Sequence, residues 1–89
     1  MPETHTPQDL QRLAERIRGQ RTDPSEVLAE LNGADPPQVK HVEDVAAAIG
    51  SARDALEHLV GADDPLGIYR IRAADALERA AAHANASAK

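Results

Sequence analysis

Four times in 89 residues a side chain able to cap a helix is followed directly by proline: Thr6-Pro7, Asp23-Pro24, Asp35-Pro36 and Asp64-Pro65. Few local patterns constrain a chain so tightly. A Thr or Asp oxygen accepts from the unpartnered N–H groups of a first helical turn, and proline suits the first helical position, where its missing N–H has no partner to lose. Each pair therefore sets a helix start. At the first two, an acid stands three residues after the cap, Asp9 after Thr6 and Glu26 after Asp23, which supplies the reciprocal half of a capping box.

Apolar spacing fills in the lengths. Leu10, Leu13, Ala14 and Ile17 predict a helix over 7–18 stopped by Gly19, and Val27, Leu28 and Leu31 a short one over 24–32 stopped by Gly33. A third helix is expected from Pro36 or Pro37 to Val60 and a fourth over 65–83. No stretch alternates with period two and there is one aromatic residue, so no strand is expected. The fold class is all-α: a single domain over 1–89, a small bundle of about four helices. A long antiparallel hairpin of the third and fourth helices over 36–83 is expected, its seam covered by the two short helices over 7–33 or by a second copy, with 1–6 and 84–89 frayed. "GADPPQ" at 33–38 and "GADDPL" at 61–66 echo each other; we read this as a repeated turn, since ending one helix and capping the next calls for that chemistry twice.

The third helix carries its own signature. Val42, Val45, Ile49, Ala52, Leu56 and Leu59 are separated by 3, 4, 3, 4 and 3 residues, the seam of one continuous helix running through Gly50. Ala74, Leu77, Ala81 and Ala84 repeat the spacing on the fourth helix, beside the small Ala73, Ala76 and Ala80. The core such a chain can build is thin: 18 of its 89 residues are Ala, against 8 Leu, 5 Val and 4 Ile. Help from a partner surface is therefore expected. The candidate interface is Val42, Val45, Ile49, Ala52, Leu56 and Leu59 on the third helix with Tyr69, Ala74, Leu77 and Ala81 on the fourth, joining the chain to a second copy in a dimer or to another protein.

The stretch "VEDVAAAIGSARDALEHLV" at 42–60 also resembles the helix-turn-helix of DNA-binding repressors. Val45-Ala46 match its hydrophobic-small pair, Ile49-Gly50 its turn, and Leu56 and Leu59 the residues that pack the recognition helix back; Ser51 with Asp54 reads as a second capping box. That resemblance implies a DNA-binding regulator using residues 42–60. The chain departs from the pattern at Ser51, where the family is apolar, and at the recognition positions Arg53, Asp54, Glu57 and His58, where two acids would meet phosphate. The unbroken seam is the reading preferred here.

Net charge is −5, concentrated in an acidic centre flanked by mildly basic ends. Nucleic acid is accordingly not an expected partner, because phosphate neutralisation supplies much of the affinity for it. Without Cys there is no disulfide or thiol chemistry. No apolar run is long enough to span a membrane, and acids stand where a signal peptide has bases, so a cytoplasmic home is expected; abundant Ala and Arg suggest a bacterial source. The histidines His5, His41, His58 and His83 lack metal-ligand spacing and are read as solvated surface residues. Glu43-Asp44 and Asp63-Asp64 are read as a helix face and a cap. The arginines Arg12, Arg16, Arg18 and Arg21 are read as a solvated basic side that pairs with nearby acids. No catalytic, cofactor or metal site and no small-molecule ligand is inferred; the expected role is that of a non-enzymatic protein acting through protein contacts.

Overall fold

The computed structural model of the protein describes residues 4–19, 23–33, 35, 42–61 and 64–87. Its helices are α1 (Pro7–Arg18), α2 (Pro24–Asn32), α3 (Val42–Gly61) and α4 (Ile68–Ser87). α3 packs most extensively on α4, α1 packs on α4, α2 on α3, and α1 touches α2, while among the described residues neither diagonal pair is in contact. The helices thus form a closed ring of neighbours around one core: a small all-α bundle built on the α3/α4 hairpin. Among the described residues there is no strand, only an isolated parallel bridge between Thr4 and Asp35.

α1 starts as its sequence dictates. The Asp9 N–H donates to the Thr6 hydroxyl at 3.1 Å and the Thr6 N–H donates to the Asp9 carboxylate at 2.9 Å, so the capping box is complete. The Thr6 N–H holds the Asp9 carboxyl below its ordinary range. α2 is capped by Asp23, which accepts from the Ser25 N–H at 3.0 Å and the Ser25 hydroxyl at 2.9 Å, and the backbone bond again comes first in lowering its pKa. The reciprocal bond expected from Glu26 to the Asp23 N–H is not formed among the described residues; the Ser25 N–H and hydroxyl both donate to the Asp23 carboxylate instead.

α3 runs unbroken through Gly50, as its seam requires. Only Gly67 has a positive φ among the described glycines, and no turn interrupts residues 42–60. The proposed third helix start at Asp35-Pro36 involves residues 36–41, outside the described residues.

The start of α4 differs from expectation: it begins at Ile68, not at Pro65. Asp64-Pro65-Leu66-Gly67 forms a turn first, with the Gly67 N–H bonded to the Asp64 carbonyl at 3.1 Å and Gly67 at φ 70°. Asp before Pro, with Gly closing the turn, is the composition of a type I turn. From there the Asp64 carboxylate reaches over the turn and accepts from the Ile68 N–H at 3.0 Å and the Arg70 N–H at 3.1 Å. Asp64 still caps the helix, from a position four residues before it.

The ends are also tied in more closely than the sequence suggests. His5 is buried, not solvated: its Nε2 donates to the Leu31 carbonyl at 2.9 Å, and its backbone N–H donates to the Asp35 carbonyl at 2.9 Å. Leu31 lies in the last turn of α2, where carbonyls lack helical partners, so His5 caps that helix from outside. At the other end α4 continues to Ser87 with Ala84 fully buried; a buried methyl holds the last turns in place.

The core holds Leu10, Leu13 and Ile17 of α1, Val27 and Leu31 of α2, Val45, Ile49 and Leu56 of α3 and Leu77 of α4, with Ala at most remaining positions. α4 alone buries Ala73, Ala74, Ala76, Ala80, Ala81 and Ala84. Methyl side chains let helix axes approach closely, which is how a chain with few large residues still closes a core. Polar ties reinforce it: the Arg70 guanidinium donates to the Ile17 carbonyl at 2.8 Å, placing a cation at the negative end of α1. Arg18 bridges to Asp75 at 3.1 Å and Glu78 at 2.8 Å on α4, and Arg16 pairs with Glu30 on α2.

Candidate functional site

The expected interface residues fall into two groups. Val45, Ile49, Ala52, Leu56, Ala74, Leu77 and Ala81 are buried in the chain's own core, and Leu59 packs partly buried against it. The seam is occupied within one copy, because α1 and α2 close over the hairpin. Val42 is exposed at the start of α3 and Tyr69 is half-buried in the first turn of α4. Of the expected set, Val42 and Tyr69 are the accessible members, with Leu59 partly so.

A groove of about 490 Å³ runs between α3 and α4, lined by Ser51, Asp54, Ala55 and His58 from one helix and Tyr69, Arg72 and Arg79 from the other. The His58 and Tyr69 rings stack with centroids 3.7 Å apart and planes 22° apart. The Arg72 guanidinium lies 5.4 Å from the centre of the Tyr69 ring, within reach of a cation–π attraction. Arg72 and Arg79 form no ion pair among the described residues, in contrast to Arg16 and Arg18. Tyr69 and Arg72 form an aromatic-basic pair, while Arg70 turns inward to Ile17.

Where α3 passes into α4, large apolar side chains are open to solvent: Leu66 is 79% exposed, Ile71 53%, Val60 52% and Ile68 45%. Periodicity does not single these four out, since they lie off both seams.

A second cleft, of about 290 Å³, lies among Thr4, His5, Asp9, Arg12, Leu13, Arg16, Glu30 and Gly33. Its polar groups already serve the fold: Asp9 in the capping box, Arg16 in the pair with Glu30, and His5 on the Leu31 carbonyl. The groove on the hairpin is the better candidate because its arginines are not so engaged.

The positions that would face DNA in a helix-turn-helix lie along the single helix α3. Arg53 is half-buried and donates to the Asn32 side chain at 2.7 Å, Asp54 and His58 line the groove, and Glu57 is exposed. Among the described residues no three His, Asp or Glu side chains gather closely enough to hold a metal ion, and no helix is long and apolar enough to cross a membrane. His41, Arg21 and Asp63 lie outside the described residues. Comparison with protein-family models, with curated proteins and with solved structures finds no significant match to this chain.

Proposed function

We propose that the chain is a helical interaction module, acting through contact between its helix surfaces and protein, a second copy or another partner, and carrying out no chemistry of its own. The observation that carries this reading is the set of four large apolar side chains left in solvent around the α3/α4 junction, in a chain that has few large apolar residues at all. Single exposed apolar residues are ordinary on protein surfaces; several at one end of a small bundle, beside a Tyr-Arg pair, favour an interface. The Ala- and Arg-rich composition supports a bacterial, cytoplasmic setting for that role.

Self-association is the form of contact that the purified chain can reveal. Association of folded copies stabilises them by mass action, so the melting temperature is expected to rise with protein concentration, alongside a light-scattering mass above 9.5 kDa. A compact monomer at high micromolar concentration, with a melting temperature independent of concentration, would count against self-association.

A further inference from the structure

The last turn of α2 is gripped from three sides. Arg16 of α1 pairs with the Glu30 carboxylate, His5 from the segment before α1 donates through Nε2 to the Leu31 carbonyl at 2.9 Å, and Arg53 of α3 donates through Nε to the Asn32 side-chain oxygen at 2.7 Å. Three consecutive residues of one helix thus each hold a different part of the chain. The rest of α2 lacks such ties. Among the described residues, the side-chain bonds of Asp23 and Ser25 stay within the helix's own cap, and what seats the first two turns is apolar: Val27, fully buried, and Leu28, partly so. At nine residues α2 is too short to hold a helix by itself in water, so it depends on these few contacts. Of the three polar ties only that of His5 is buried, and exposed pairs contribute little. His5 is itself anchored. Its N–H donates to the Asp35 carbonyl at 2.9 Å, Thr4 bridges to Asp35, and Thr6 is fixed by the capping box of α1. Residues 4–6 therefore form a strap from the start of α1 to the end of α2, two helices whose direct contact is the slightest in the bundle.

We propose that α2 is a lid on the bundle, opening as a unit while α1, α3 and α4 stay packed, and that the His5 side chain is the latch that holds it shut. The inference is independent of the protein-contact reading. Segments with few buried apolar contacts open at a lower cost than the whole fold, and α2 puts two side chains, Val27 and Leu31, fully into the core where α3 puts six. The other three helices do not need it to stay together, because α3 packs on α4 and α4 on α1. Opening bares the side of α3 on which α2 packs, whose buried residues belong to the same apolar cluster as Val27 and Leu31. The lid thus exchanges a closed core for an open apolar face without unfolding the hairpin.

Native-state hydrogen exchange of the full chain reads the lid directly, since each amide reports the opening that exposes it. The α2 amides of the unaltered chain are expected to exchange roughly tenfold or more faster than those of residues 52–56 on α3 and 73–81 on α4. His5→Ala leaves the Leu31 carbonyl without its donor and is expected to speed α2 exchange roughly a further tenfold, with residues 52–56 and 73–81 changed by less than about twofold. His5→Gln keeps an N–H donor at a similar reach and is expected to return α2 to within about threefold of the unaltered chain. Exchange of α2 no faster than that of α3 and α4 overturns the lid, as does a His5→Ala variant that speeds all the helices alike or none of them. A His5→Gln variant no better protected than His5→Ala overturns the Nε2 bond as the latch.

Discussion

Gly50 and Gly67 are the same residue under opposite demands, and one substitution separates them. Gly50 lies inside α3, and no heavy atom stands within 4 Å of the place a Cβ would occupy. Gly50→Ala is therefore expected to stabilise the fold by roughly 0.5 to 1 kcal/mol, through helix propensity and a less flexible unfolded chain. Gly67 has the same open space but a φ of 70°, in the left-handed region where a Cβ crowds the following carbonyl. Gly67→Ala is expected to cost about 1 kcal/mol or more. Urea midpoints at constant m-value read both. A lower midpoint for Gly50→Ala would place a turn in the middle of α3 and revive residues 51–60 as a recognition helix. The contrast is half legible in the sequence: the seam from Val42 to Leu59 passes through Gly50 without a break in register, whereas the turn that uses Gly67 is hidden behind an Asp-Pro pair that equally well begins a helix directly. His5 is illegible for another reason, since its acceptor, the Leu31 carbonyl, is 26 residues away and exists only once α2 has ended beside it.

Helix starts are the legible part at the scale of elements, because a cap and the N–H groups it serves are neighbours in the chain. α1 and α2 begin where Thr6 and Asp23 place them. The caps also predict how the bundle responds to acid. Asp9 and Asp23 are held below their ordinary pKa by the N–H groups of Thr6 and Ser25, so each binds its proton less readily in the folded state than in the unfolded one. Their contribution to stability is present above the unfolded value, near pH 4, and is lost as the pH falls through the lowered folded value. Asp23→Asn keeps an oxygen for the Ser25 N–H but cannot titrate. It is expected to show a smaller fall in urea midpoint between pH 6 and pH 3 than the unaltered chain, and identical pH dependence would show that the cap is uncharged or unimportant. The helix patterns give the α3/α4 hairpin; what they leave open is what covers its seam. The seam residues of α3 and α4 are identifiable as a packing surface, but whether it closes within one copy depends on α1 and α2 covering the hairpin, and the His58–Tyr69 stack depends on the hairpin's register.

The whole molecule is a bundle whose large apolar residues are few and, in the core, fully used. Leu10, Ile17, Val27, Leu31, Val45, Leu56 and Leu77 are all less than 2% exposed, which leaves the groove and the α3/α4 junction as the surfaces where the sequence departs from simple solvation. The α3/α4 junction is the surface on which the protein-contact reading rests, and removing its apolar side chains tests that reading most directly. Leu66 is 79% exposed and Ile71 53%, so Leu66→Ser and Ile71→Ser together remove exposed apolar area without opening the core. Sedimentation velocity at high micromolar concentration compares this double variant with the unaltered chain. Association of the unaltered chain that weakens in the variant, at an unchanged urea midpoint, is the predicted result; association equal in the two, or a monomer in both, would contradict self-association through this surface.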